Sequence, residues 1–244
     1  DNALLTTSSC SPSRSSIMTG RYPHTIEPAD ELHLSISKEN NVTVMTEPLR
    51  ELGYYTEACG KWHLGDYVES HFDQVSEGGL GGVANWAETV RNRPMDQPFF
   101  FWLAASDPHR GYQKDRTPQL NDPAKLKLPP HFPDHPTTRE DFADYANEVS
   151  RLDAAVGEVI AVLRNQDVLD DTFVLFMSDN GRPFPGAKTL LTDPGIKTPF
   201  IVHFPALVRP GQTTSSLVSA IDIAPTLSEL AGQLYQPRSF QGKS

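Results

Sequence analysis

The chain has 244 residues, with 21 Lys and Arg against 31 Asp and Glu for a formal charge of −10, 38% hydrophobic residues and two cysteines. That length buries a core without staples and two thiols make at most one bridge, so residues 1–244 read as one soluble globular domain rather than a disulfide framework. The acidic balance argues against nucleic acid as a partner, and no apolar run of about eighteen residues is present to span a membrane.

Near the start, Ser11 suits the cap of a short helix, Pro12 its first position and Gly20 its end. Cys10 then stands at a helix N-terminus, where amide donors and the positive dipole end favour an anion or a thiolate, with Arg14 one turn further in. Asp30, Glu31 and the other scattered acids read as solvated surface. Apolar runs predict strands over residues 54–59, 99–105, 172–178 and 199–204. Phe99-Phe100-Phe101-Trp102-Leu103 and Phe173-Val174-Leu175-Phe176-Met177 are apolar on both faces, the pattern of strands in a sheet covered on both sides. Prolines crowd residues 94–136, where Pro118, Pro123, Pro129, Pro130, Pro133 and Pro136 break regular elements, so this stretch reads as a long ordered loop. A helix is predicted over 139–165, with Tyr145, Val149, Leu152, Val156, Val159 and Leu163 on its buried face and Thr137 with Glu140 as a capping box. A second follows Asp222, with Pro225 in its first turn, Leu227 and Leu230 buried and Gly232 as its stop. Strands alternating with helices make the fold α/β, in an α/β/α-layered arrangement.

In an open α/β sheet the loops at the carboxyl ends of the strands converge on one edge. Here those loops read Gly60-Lys61-Trp62-His63, Ser106-Asp107-Pro108-His109-Arg110 and Asp179-Asn180-Gly181. Taken singly, each has a plain structural role: cysteine as a small hydrophobe, histidine as a hydrogen-bonding side chain, Asp-Asn-Gly as a turn. Together with Cys10 and Arg14 they bring a nucleophile, cations, imidazoles and hard oxygen ligands to one edge, the content of a site for an anionic substrate.

Cys10-Ser11-Pro12-Ser13-Arg14 resembles the Cys-x-Pro-x-Arg signature with which sulfatases direct oxidation of the cysteine to formylglycine. Gly60-Lys61-Trp62-His63, Asp107-Pro108-His109 and Ser178-Asp179-Asn180-Gly181 resemble that family's later active-site motifs in the same order. Asp107-Pro108-His109-Arg110 and residues 180–188 look most like the heparan N-sulfatase (sulfamidase) branch. The resemblance implies an alkaline-phosphatase-like α/β/α sandwich with a mostly parallel central sheet. It also implies hydrolysis of a sulfate ester or N-sulfate on a sulfated sugar, in a secreted, periplasmic or lysosomal setting. By the same resemblance, formylglycine-generating machinery would convert Cys10, and the aldehyde hydrate would supply the attacking oxygen, held by Arg14. Lys61 and Lys188 would bind sulfate oxygens or the nucleophile, His109 would face the leaving group, and His63 would take the second hydroxyl proton and expel sulfate. Asp179, Asn180 and the modified Cys10 would ligate calcium, a hard ion that polarises the sulfuryl group. Lys197 is a second lysine candidate; Lys188 is preferred because its spacing after Asp179-Asn180 matches a basic residue of the sulfamidase branch. Such cations suit the chemistry, since sulfuryl transfer spreads negative charge over oxygens, and imidazoles titrating near neutrality suit its proton steps.

Family members carry an aspartate pair upstream of the signature cysteine and a smaller C-terminal subdomain. With Asp1 nine residues before Cys10 and little chain after Gly232, the sequence is expected to be truncated at both ends. Calcium on Asp179, Asn180 and formylglycine alone would then be under-coordinated. A phosphodiesterase or phosphonate monoester hydrolase would use the same constellation on a phosphoryl group, and a non-catalytic anion- or glycan-binding domain would follow if Cys10 stays a thiol. Cys59 reads as a buried structural thiol, and residues 111–136 as a cover over the active-site edge.

Overall fold

The computed structural model describes residues 2–26, 36–233 and 240–244; Asp30 and Glu31 lie outside the described residues. Strands form at β1 (Asn2–Leu4), β2 (Tyr55–Gly60), β3 (Gln74–Ser76), β4 (Phe99–Ala104), β5 (Val174–Met177), β6 (Phe200–His203) and β7 (Leu217–Ser219). Helices form at α1 (Cys10–Thr19), α2 (Thr46–Glu51), α3 (Asp66–Glu69), α4 (Trp86–Arg91), α5 (Pro136–Asn165), α6 (Asp193–Ile196) and α7 (Ile223–Leu230). All four strands expected from the apolar runs are present within one or two residues of their predicted ends.

Pairing is mostly parallel: β2 lies between β3 and β4, and β1 runs beside β7, while β5 and β6 form the antiparallel pair. The Leu5 amide donates to Ile196 O at 2.8 Å and the Thr198 amide to Ala3 O at 3.1 Å, so β1 also touches the chain entering β6. On β4, Phe99, Phe101 and Leu103 pack against a cluster of Cys59, Trp86, Val90, Val159 and Leu163. The intervening Phe100 and Trp102 pack against Met18, Val44, Ala58, Phe72 and Ala224. A strand turns successive side chains to opposite faces, so one apolar run feeds two cores, with α4 and α5 on one side and α1 and α7 on the other. The α/β/α layering follows from that alternation. Coverage thins at β6, where Ile201 is 61% exposed.

Three local expectations need correction. First, α1 begins at Cys10 with Ser9, not Ser11, as its extended N-cap residue, which puts Pro12 in the first turn rather than at its first position. Proline is tolerated there because first-turn amides have no partner within the helix. Gly20 ends the helix as expected, at φ 61°.

Second, α5 starts three residues before the predicted boundary, with Pro136 in its first position and His135 as N-cap, whose Nδ1 accepts from the Thr137 amide at 3.3 Å. Thr137 is therefore inside the helix and cannot form the expected capping box. Its buried face is also different: Ala143, Asn147, Glu148, Ala155, Val159, Val162 and Leu163 are buried, while Val149 is exposed. The amino-terminal half of α5 lies under the loop that follows β4 instead of under the sheet. A covered loop must have its amides satisfied, and the helix supplies polar acceptors where apolar contacts were expected. Asn147 Oδ1 accepts from the Leu120 and Asn121 amides at 3.0 and 2.9 Å, and Glu148 Oε1 from the Gln113 amide at 2.7 Å.

Third, α7 buries Ile223, Ala224, Pro225 and Ser228, with Leu227 packed on the core, but leaves Leu230 exposed. No described helix is long and apolar enough to cross a membrane.

Gly60 ends β2 at φ 107°, and a Cβ there would stand 2.2 Å from Ala104 O and 2.6 Å from Gly82 O. Its bare backbone lets the next residue donate from its amide to Ala104 O at 2.7 Å, which sets where Lys61 leaves the sheet. Gly60→Ala is expected to cost about 3 kcal/mol or more, through positive-φ strain and the two backbone clashes, and to lower the urea midpoint accordingly.

Candidate active site

Every residue of α1 is buried, so the helix is a fixed post whose first residue, Cys10, faces the carboxyl ends of the strands. The loops leaving β2 and β5 converge on its sulfur. Cys10 Sγ lies 3.0 Å from Lys188 Nζ, 3.4 Å from Lys61 Nζ and 3.2 Å from Asn180 Oδ1. One turn on, buried Arg14 donates from Nε to Asp179 Oδ2 at 2.8 Å and from Nη1 to Lys61 O at 2.7 Å. This single guanidinium ties α1 to both loops. Cys10, Arg14, Lys61, Asp179, Asn180 and Lys188, drawn from three distant parts of the sequence, thus form one contiguous cluster. Lys197 instead lends its backbone to a bridge with Leu4, and is exposed.

The two histidines are placed differently. His63 is exposed, at φ 54°, a left-handed conformation that His adopts more readily than β-branched residues. His109 is exposed, with Nδ1 3.0 Å from Arg110 O. Its neighbour Arg110 grips Asp141 of α5 through two bonds of 2.9 and 2.7 Å and donates from Nε to Pro183 O at 2.8 Å. The His109 loop is thereby tied to the segment that carries Lys188.

Behind that loop sits an ion-paired anchor that sequence reading missed. Buried Asp107 takes two bonds from Arg151 of α5, at 2.6 and 2.9 Å, and Arg151 also donates to Thr117 Oγ1 at 2.5 Å. Glu148 lies 3.6 Å from the same guanidinium. In the sequence, Glu148 and Arg151 look like an ordinary solvated helix face, and no local signal separates them from it. Burial pushes the Glu148 carboxyl above the usual carboxylate range, aided by Asp107 and Asp144 and opposed by the Gln113 amide and Arg151. Its folded state thus holds the proton more tightly than the unfolded chain, so this group's contribution to stability is lost as pH rises from the ordinary carboxylate range through the raised value. Glu148→Gln keeps an acceptor for the Gln113 amide and is expected to flatten that part of the stability–pH curve; parallel curves for variant and parent would contradict it.

Cys59 is a free, buried thiol beside Glu77 O and Thr89 Oγ1, and Cys10 is also free. A cavity of about 560 Å³ opens among Arg50, Tyr54, Tyr55 and Asp73 at the amino end of β2, away from all the predicted site residues. The Cys10 cluster is the candidate site, because that is where cations and a nucleophile candidate meet.

Asp179 and Asn180 offer hard oxygens, the donor chemistry calcium takes, but Asp179 is already paired with Arg14. Among the described residues no group of three or more His, Cys, Asp or Glu is placed to hold a metal ion. Calcium takes about six to eight oxygens, so the described residues do not make a complete calcium site.

The Sulfatase family profile matches residues 1–85 and 81–233. The chain is 33% identical to human (Homo sapiens) N-sulphoglucosamine sulphohydrolase over 93% of its own length and 52% of the relative's. It is 28% identical to an ulvan-active sulfatase of Formosa agariphila over 100% of its length and 47% of the relative's. It therefore spans about half the length of the curated relatives it matches. Among solved structures, Ps i-CgsB in complex with k-i-k-neocarrahexaose superposes with a TM-score of 0.76 at 25% identity, covering 99% of this chain and 66% of that one. With the helix-borne Cys10-x-Pro12-x-Arg14 element set against Lys61, Asp179, Asn180 and Lys188, and the family profile running along most of its length, the chain belongs to the sulfatase family.

Proposed function

We propose that the full protein hydrolyses a sulfate ester or N-sulfate of a sulfated sugar, outside the cytoplasm, with Cys10 converted to formylglycine by dedicated machinery. The observation that carries this reading is the convergence of Lys61 and Lys188 on Cys10 Sγ at the buried start of α1. Formylglycine at that position would supply a hydrated aldehyde oxygen as nucleophile. Around it, the two ammonium groups and the first-turn amides of α1 offset negative charge on sulfuryl oxygens, and they are held in place before substrate arrives. Arg14 keeps Asp179 and the Lys61 backbone in register with α1. His109 is assigned to protonate the leaving oxygen or nitrogen, and His63 to take the proton whose loss releases sulfate. Calcium belongs to the same proposal: Asp179, Asn180 and the modified Cys10 would supply three of the roughly six to eight oxygens it takes. The resemblance of residues 107–110 and 180–188 to the sulfamidase branch, and the 33% identity to a sulphohydrolase, favour an N-sulfate.

The deciding experiment is peptide mass spectrometry of the full-length protein from a host with the converting machinery, followed by assay on N-sulfated glucosamine with and without a calcium chelator. The peptide bearing Cys10 is expected to carry an aldehyde in place of the thiol, and Cys10→Ala to abolish sulfate release. An unmodified thiol in that host would sink the mechanism. Faster turnover of a phosphonate ester than of any sulfate would transfer the site to phosphoryl chemistry.

A further inference from the structure

The turn that delivers Lys188 also carries Arg182. Its carbonyl accepts from the Phe184 amide at 2.8 Å and from the Lys188 amide at 3.2 Å, so Arg182 and Lys188 belong to one closed turn beside Cys10. The Arg182 guanidinium lies over the Phe132 ring, 5.7 Å from its centroid, and its Nε is buried with no hydrogen-bond partner. Neighbouring arginines are neutralised: Arg14 by Asp179, Arg110 by Asp141, Arg139 by Asp134 and Arg151 by Asp107. Among the described residues no carboxylate pairs with Arg182. The floor beneath it is apolar, since Phe132 packs on Phe184 and Phe142. Close by, the Tyr112 hydroxyl is also buried without a partner, and Arg110 lies over both the Tyr112 and Phe184 rings.

A guanidinium keeps its charge at any accessible pH and offers five donors in a plane, which a carboxylate or sulfate matches with two oxygens. Lys61 and Lys188 already serve the position of the reacting group. We propose that Arg182, resting on Phe132, binds a second acidic group of the substrate, a carboxylate or another sulfate on the reacting sugar or its neighbour. This proposal rests on the sulfatase reading and adds to it the side chain that reads a second acid on the substrate.

The test compares full-length parent and Arg182→Ala protein on three probes: glucosamine N-sulfate, glucosamine N,6-O-disulfate, and an N-sulfated glucosamine linked to a uronic acid. A charge-assisted bond of about 1.5–3 kcal/mol corresponds to roughly a 10–100-fold change. The kcat/KM preference for one or both two-acid probes over the N-sulfate is expected to fall by about that factor, mainly through KM. The probe that loses its preference tells whether the second group is sulfate or carboxylate. Arg182→Gln, which keeps a planar group over Phe132, is expected to lose the same preference. An unchanged preference, or equal loss on all three probes, overturns the proposal. Calorimetric binding of the same probes to Cys10→Ala protein, with and without Arg182→Ala, gives the answer independently of turnover. If the parent releases no sulfate, the sulfatase reading fails while the binding comparison still decides Arg182.

Discussion

Lys188→Ala is expected to lower kcat/KM for sulfate release by the full-length protein about 10²–10³-fold, the loss typical of removing one preorganised donor from developing negative charge. Lys188 is well placed for that role. Its Nζ is 3.0 Å from Cys10 Sγ, nearer than that of Lys61 at 3.4 Å. The segment around it is pinned on both sides: the Thr189 amide donates to Ser8 O at 2.8 Å, and the Gly181 amide to Gly195 O at 2.8 Å. Adjacent Ala187 is wholly buried. The ammonium group is therefore held in place by the fold and needs little reorganisation during reaction. If, as proposed, both lysines act on the same charge, the double variant Lys61→Ala, Lys188→Ala should lose less than the product of the single losses. Steady-state kinetics on N-sulfated glucosamine checks this. Normal kcat/KM in Lys188→Ala beside a large loss in Lys61→Ala would show that Lys188 serves only the resting thiol.

Arg151→Ala is expected to destabilise the protein by about 3–5 kcal/mol, since it removes one partner from a buried ion pair and leaves the other uncompensated. Two carboxylates are left, not one: Asp107, whose side chain is 3% exposed, and Glu148, 2% exposed. The loss also leaves the Thr117 hydroxyl with Gln113 O as its remaining partner and removes one of the ties between α5 and the loop after β4. Urea denaturation reads the energy. Hydrogen exchange at the amides of residues 113–121 reads the place, and those amides are expected to exchange faster. Adding Asp107→Asn to Arg151→Ala removes one stranded charge and should recover part of the loss, a coupling that a simple packing defect would not show. Since Asp107 lies two residues before His109, the same variant should also impair the proton step assigned to that histidine.

The β4 run was legible because a strand exposes its side chains alternately, and an unbroken apolar sequence can only be satisfied by cover on both faces. The grouping of these side chains was legible because strand ends in such a sheet open on one edge, so the sequence alone places Lys61, Asp179 and Asn180 near Cys10. By contrast, the periodicity of α5 pointed to Val149 as buried and gave no reason to single out Asn147, Glu148 or Arg151. What covers a helix face depends on which other segment lies over it, and local spacing does not encode that.

The sequence by itself therefore determined the α/β class, the positions of the main strands and helices, and the residue types gathered at their carboxyl ends, because these follow from short-range periodicity, turn chemistry and the edge rule. The preference for Lys188 over Lys197 was also legible, and Lys188 Nζ does reach the sulfur. Only the tertiary structure decided that Asp107 is held by Arg151, and that Arg182 stands on Phe132 with no acid paired to it among the described residues. Those outcomes are pairings of polar groups far apart in the chain. They are set by which groups are withdrawn from water together and must satisfy one another there.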